Sequence, residues 1–393
     1  MKKKKIVYIT YHNIADLNAG DKIVSYSFLR QIAENHEVYL FNILDEGKYS
    51  PASMSLIEDI VPFYQFCYAI KETPYIAILK SLFLFKPYAF TRNKNRSSIS
   101  QKLQETIKEF NPDIIIWDHF RTIAYFDIKL LALKNIIIQH NNEQVLYKQR
   151  GKNQKELFRK LFFYWQAFWV GKINSKIESL FIKNIYISSY DTEQKSNNSE
   201  KLYLLKKLNL YFHHNIFQLK EDKKFDLLFI GSLDWEPNIT GIMWFMDKVY
   251  PLIPKNITVA IVGKNPDTKI YDYKYEGVEI FPNVASVEYY YQSSKVFISP
   301  ILTGGGINIK MLEALSYGIP IVASSHSLRG YEGIEFMKCC NEPDEFAKEI
   351  MKLLNNWEYY CSLSENEIKY YKNYNELATS ELLSTLIETD TIK

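Results

Sequence analysis

Short β-branched runs alternate with helical patterns twice along this chain, and that alternation restricts the fold to parallel sheets covered by helices. In the first half the runs are Ile6 to Thr10, Glu37 to Phe41, Asp113 to Trp117, Asn135 to Gln139 and Asn184 to Ser188. Helices are predicted at Gly20 to Glu34 and across 155–183, with a short one starting at Asp191. A polar, lysine-rich stretch from Leu219 to Lys224 separates the halves. The runs resume at Phe225 to Ile230, Ile257 to Val262, Val278 to Phe281, Lys295 to Ser299 and Ile319 to Ala323, and helical patterns at 344–355 and 357–388 close the chain. With 393 residues, each half is long enough to bury a core of its own. The expectation is an α/β protein of two doubly wound domains, with ligands at the carboxyl ends of the strands.

Composition narrows the function classes. A hydrophobic fraction of 47% with 24% charged residues describes a globular protein, and a net charge of +3 is too mild to argue for nucleic acid. Cys67, Cys339, Cys340 and Cys361 lack zinc-ligand spacing, and adjacent Cys339 and Cys340 are poorly placed to pair, so free thiols and a cytoplasmic setting are expected. Lys2 to Lys5 lead into a strand pattern rather than the apolar core of a signal peptide. The apolar stretches Tyr75 to Phe85 and Leu161 to Val170 fall short of the ~20 residues that span a bilayer. The first is flanked by Lys80, Lys86, Arg92, Lys94 and Arg96, a pattern that suits core packing or peripheral contact with the inner face of a membrane.

Residues 303–322 carry the clearest chemistry. Gly304, Gly305 and Gly306 follow the apolar run ending at Ser299 and are expected to open an amphipathic helix, where free amide groups and the helix dipole favour an anion. Helical spacing puts Gly306, Lys310 and Glu313 on one face and Met311, Leu312 and Leu315 on the other. Lys310 suits a diphosphate, and Glu313 suits the hydroxyls of a ribose. Gly318 is expected to end the helix and Pro320 to prevent its continuation. Neither G-x-x-x-x-G-K-[ST] nor G-x-G-x-x-G fits, since no Gly-Lys-Ser/Thr follows and Ile309 stands where the last glycine belongs.

The segment resembles the donor-site helix of GT-B glycosyltransferases, particularly retaining enzymes of the family 4 type. That family carries two glutamates seven residues apart. Glu313 matches the second, on the nucleotide ribose, whereas Gly305 stands at the first, so the chain is similar to a subgroup reading Gly-Gly-Gly-x-x-x-Lys-x-x-Glu. The resemblance covers 225–335 strongly and the part before 190 patchily. It implies two Rossmann-like domains facing a central cleft: 1–218 for the acceptor, 219–370 for the donor, and a helix at 371–393 crossing back onto the first domain.

The same resemblance implies further site residues. Gly231, Ser232 and Asn238 lie in a string like the family's Gly-Ser-x-x-x-x-Pro-Asn loop and offer neutral donors to the diphosphate, while Trp235 and Pro237 equally suit a tight turn. Asn283, in Phe281 to Ser286, occupies the place where backbone recognises the base. Arg329 is open to two readings, a contact to the phosphates or a surface ion pair. In the first half, Gly20 matches a glycine that lets phosphate approach the backbone. Gln139 to Glu143 resembles the family's His-Asn-x-Glu motif, which places His140 beside the donor sugar, with His119 the weaker candidate and a structural role open for both.

No D-x-D pair occurs, so the expected enzyme is metal-independent and neutralises its leaving group with Lys310, amide dipoles and Arg329. The reading is a retaining, cytoplasmic transferase that moves sugar from a UDP- or GDP-sugar to a glycan or lipid-linked acceptor in cell-surface polysaccharide synthesis, with no bound cofactor. A non-hydrolysing nucleotide-sugar epimerase and an inactive nucleotide-sugar-binding partner are the alternatives.

Overall fold

The β-branched runs of the first half become strands of one parallel sheet in the computed structural model, which describes all residues except 1–2, 18, 46, 48, 127–133, 188–201, 206–209, 211–222, 305–306 and 388–393. Its strands are β1 Lys5–Tyr11, β2 Glu37–Leu44, β3 Phe63–Tyr68, β4 Ile114–Asp118, β5 Lys134–Gln139, β6 Lys183–Tyr186 and β7 Leu202–Leu204. They are ordered β3-β2-β1-β4-β5-β6-β7. Helices α1 Gly20–Asn35, α2 Pro51–Glu58, α3 Pro74–Phe83, α4 Arg96–Phe110, α5 Glu143–Asn153 and α6 Leu157–Leu180 accompany them. Edge strand β3 was not anticipated, because only Cys67 of its six residues is buried and the run therefore lacks a strong apolar signal. The expected helix at Asp191 and the Leu219 end of the separating stretch lie outside the described residues.

The second sheet contains β8 Phe225–Ile230, β9 Val259–Gly263, β10 Val278–Pro282, β11 Ser294–Ser299 and β12 Ile321–Ala323, ordered β10-β9-β8-β11-β12 and again parallel. Its helices are α7 Glu236–Trp244, α8 Glu288–Gln292, α9 Ile309–Tyr317, α10 Pro343–Asn355 and α11 Trp357–Ile387. The chain divides into two compact units, Met1–Tyr211 with Ala378–Lys393 and Phe212–Leu377, so α11 runs through the division at Ala378. The domain boundary expected at 218 falls outside the described residues.

Both sheets reverse their strand order, between β1 and β4 in the first unit and between β8 and β11 in the second. Loops leaving strands on either side of such a reversal diverge, which opens a crevice at the carboxyl ends. Around the first reversal the core is rich in aromatic side chains. Trp117 of β4 is fully buried against Phe126 and Phe181, and its indole N–H donates to Asn135 Oδ1 at 2.9 Å. Burying such a ring contributes about 3 kcal/mol, which an unpaired indole N–H would largely cancel. In the second unit Gly318 ends α9 at φ 59°, as expected for a helix stop. A Cβ there would also lie 2.6 Å from Ile368, so the glycine allows α11 to approach.

Candidate active site

Several site residues expected in the second unit gather beside β8. Gly231 follows that strand, and the space its missing side chain leaves is where the Lys310 ammonium sits. Lys310 donates to Asn238 Oδ1 at 2.8 Å and lies 5.2 Å from the centre of the Phe229 ring. Asn238 is itself oriented by donation from its amide to the Ser232 carbonyl at 2.7 Å. The expected string Gly231–Ser232–Asn238 therefore positions the lysine, and Asn238 and the Ser232 carbonyl are engaged within the protein. Glu313, one turn along α9, accepts a hydrogen bond from the Tyr291 hydroxyl at 3.1 Å, and Tyr291 stacks on Tyr317 with ring centres 4.5 Å apart.

Burial lowers the Lys310 pKa to about 7, against the opposing pull of Glu313. Burial raises Glu313 to about 7, opposed by the Tyr291 hydrogen bond and by Lys310. An ammonium and a carboxyl that both titrate near neutrality sit in surroundings that favour their neutral forms. An anion arriving beside Lys310 restores its charge.

One expectation about the glycine loop changes. Helix α9 starts at Ile309, with Asn308 as its cap, so Gly304 precedes the helix instead of opening it. Asn308 explains the delay: its amide donates to Ser299 Oγ at 3.0 Å, and its carbonyl accepts from the Tyr331 hydroxyl at 2.8 Å, which fixes a non-helical backbone before the first turn. Gly305 and Gly306 lie outside the described residues. Gly304 has φ 129°, which a side chain would strain, and its carbonyl accepts from Arg329 at 3.1 Å. Arg329 also contacts the His326 carbonyl and ring, so it braces the loop. Asn283 adopts φ 54° and uses its Oδ1 to accept from the Asn265 N–H at 3.0 Å, leaving it at the exposed end of β10.

The first unit assembles a separate polar cluster at its own strand reversal. His140 follows β5 and places Nε2 2.7 Å from Asp118 Oδ1, while Thr10 Oγ1 donates to Asp118 Oδ2 at 3.1 Å. The His119 ring stacks on His140 with centres 3.6 Å apart, and its Nε2 lies 3.3 Å from Ser25 Oγ. Burial raises the Asp118 pKa, but His140 and His119 outweigh it and hold the carboxyl at about 2. Burial and then the neighbouring His140 hold His119 well below its ordinary range. An ionised Asp118 receives the Nε2–H of His140 and so leaves Nδ1 as the basic nitrogen; that atom is buried with no hydrogen-bond partner among the described residues.

Gly20 opens α1, and the next residue, Asp21, reaches His12 Nε2 at 3.2 Å. His12 and His119 both have left-handed backbones, φ 76° and 75°, conformations that non-glycine residues hold only where surrounding contacts enforce them. His12, Asp21, Thr10, Ser25 and Asp118 were not among the expected site residues. Asp21 adjoins Gly20 and His12 directly follows β1, and these positions are their sequence signals. Ligand atoms of His12, Asp21 and His119, and of Asp118, His119 and His140, lie within 4.8 Å of one another, so either trio has the composition of a metal site. Both Asp118 oxygens are already satisfied by His140 and Thr10.

Residues 224–356, which include Gly231, Lys310, Glu313 and Arg329, match the family described as Glycosyl transferases group 1. The match lies within the second unit. A Klebsiella pneumoniae protein described as an uncharacterized 44.6 kDa protein in the cps region is 28% identical over 250 residues, which cover 58% of this chain, and the chain spans 61% of the length of that relative. A glycosyltransferase crystal structure from Rickettsia africae is similar with a TM-score of 0.62 at 11% identity, over 100% of both chains. Anabaena HepE, solved in complex with UDP and glucose, is similar with a TM-score of 0.61 at 11% identity over 98% of this chain and 99% of that one. The fold is that of GT-B glycosyltransferases, two parallel-sheet Rossmann-like α/β domains.

Proposed function

We propose that the protein moves a sugar from a nucleoside diphosphate sugar, UDP- or GDP-linked, to a hydroxyl of a glycan or lipid-linked glycan, retaining anomeric configuration and using no metal. The observation that carries this reading is the half-buried Lys310 ammonium, held by Asn238 beside Gly231 within the stretch that matches a glycosyltransferase family. In the reaction the bond from the anomeric carbon to the diphosphate breaks, and negative charge develops on the departing phosphate oxygen. Lys310 and the loop around Gly304 are assigned to stabilising that charge. The acceptor oxygen bonds to the same face of the anomeric carbon, and its proton passes to the departing phosphate, so no protein base is required. Glu313 is assigned to the ribose, and Tyr291 orients it. His140, with its tautomer set by Asp118, is assigned to orienting a sugar hydroxyl through Nδ1.

Two similar proteins lend support to a setting and a base. One lies in a cps region, consistent with cell-surface polysaccharide assembly on the cytoplasmic side of the membrane, and the UDP bound to a protein of the same fold favours uracil. Thermal-shift measurements with UDP, GDP, ADP and their sugars test the reading. Stabilisation by one nucleoside diphosphate, lost in Lys310→Ala, is the expected result; equal indifference to all of them refutes it.

A further inference from the structure

Helix α3 turns the usual arrangement of a surface helix inside out. Its buried positions are Ala77 and Ser81, while Tyr75, Ile76, Leu79, Leu82 and Phe83 are exposed, Tyr75 to 80% and Phe83 to 78%. A helix folded only against its own protein buries the apolar face and exposes the serine. The first part of α6 repeats the inversion. Leu157, Leu161, Tyr164 and Phe168 follow helical spacing along one exposed stripe, Phe158 beside them is 88% exposed, and Gln166 is buried.

The two helices form one surface. The Gln166 amide donates to Ser81 Oγ at 3.1 Å, and its Oε1 accepts from the Tyr88 N–H at 2.6 Å. Phe85, just after α3, places its ring 5.8 Å from Trp165 and 5.7 Å from Trp169. The outward apolar residues of both helices therefore belong to a contiguous patch larger than scattered exposed side chains explain.

Charge identifies the occupant. The segment 71–96 has six Lys or Arg against the single acid Glu72, and 148–176 has eight against the single acid Glu156. Both acids are paired locally, Glu72 with Lys80 and Lys94 and Glu156 with Arg159. The whole chain is only +3, so the rest of it is net acidic and the positive charge is concentrated around this patch. Aromatic and aliphatic side chains rimmed by lysines complement an anionic lipid surface, where the apolar groups enter the headgroup boundary and the cations meet phosphate. No helix among the described residues is long and apolar enough to cross a membrane, so contact is lateral. We propose that α3 and the start of α6 dock the protein onto an anionic bilayer. This inference stands apart from the donor chemistry.

Flotation of the full chain with phosphatidylcholine vesicles, and with vesicles containing about one-third phosphatidylglycerol, provides the test. Binding to the anionic vesicles at least tenfold stronger than to the neutral ones, and weakened by salt, is expected. Phe83→Ser with Phe158→Ser should reduce it at least tenfold, while the thermal shift given by UDP or GDP stays at the wild-type value and reports an intact second unit. Absence of flotation, or equal binding of wild type and double variant, overturns the proposal. So does concentration-dependent dimerisation in sedimentation that the double variant abolishes, because the patch then belongs to a second copy.

Discussion

Gly231 and Lys310 depend on one another sterically: a Cβ at residue 231 would lie 2.4 Å from Lys310 Nζ. The colliding atom is the end of a flexible side chain, so Gly231→Ala is expected to displace the ammonium and leave the sheet intact. Donor turnover should fall roughly ten- to hundredfold with little change in melting temperature, since an anion-stabilising group is misplaced. Steady-state kinetics beside a melting curve checks this, and unchanged kinetics removes the packing of Lys310 against Gly231 from the account.

The same lysine predicts a pH dependence. Its native pKa, about 7, lies below the ordinary lysine value, so donor affinity should be highest below pH 7 and fall as pH rises through that value. For stability the sign is opposite. The unfolded chain holds a proton that native Lys310 has released between about 7 and the ordinary lysine range, so this group favours folding increasingly as pH rises across that window. Glu313, raised to about 7, favours folding at low pH and loses that contribution between the ordinary glutamate range and about 7. Calorimetric titration of UDP from pH 6 to 9 should show the affinity loss in the wild type and a flat profile in Lys310→Met.

Asp118→Asn keeps the shape of the cluster but replaces an acceptor facing His140 Nε2 with an amide. The preferred histidine tautomer is then no longer fixed. Turnover should drop roughly tenfold, the scale of one misdirected hydrogen bond to the sugar. The variant should also lose acid-dependent stability. Native Asp118 titrates at about 2, below the ordinary carboxyl range, so its contribution is present above that range and disappears as pH falls towards 2. Kinetics and acid titrations of wild type and variant measure the two effects independently.

Chelation tests the metal-free mechanism. The two histidine–aspartate trios have suitable atoms for an ion, yet the proposed leaving-group stabilisation runs through Lys310. Turnover after treatment with EDTA and buffer exchange should equal that of untreated protein. Loss of turnover, restored by one divalent metal, contradicts that mechanism.

Much of this architecture was legible from periodicity. The β-branched runs ending at Thr10, Gln139, Ile230 and Ser299 carry strong burial signals, and Gly318 with Pro320 marked the end of α9. Lys310 and Glu313 could be singled out because few charges interrupt the apolar helix there. What the sequence concealed was set by long-range contact. The cap at Asn308 depends on Ser299 and Tyr331, the bracing role of Arg329 depends on the Gly304 carbonyl, and the pairing of Asp118 with His140 joins two strands. The exposed stripe on α6 escaped notice for a related reason: Leu157, Leu161, Tyr164 and Phe168 have the spacing of a core face, and only the fold reveals that they point outward.

Nucleoside diphosphate release measures the central claim most directly. Purified wild type and Lys310→Ala are incubated with UDP- and GDP-sugars, with and without a glycan acceptor. The account predicts release by the wild type, stimulated by acceptor, and a loss in Lys310→Ala equivalent to about 2–4 kcal/mol of transition-state stabilisation. Equal release by both proteins would contradict it.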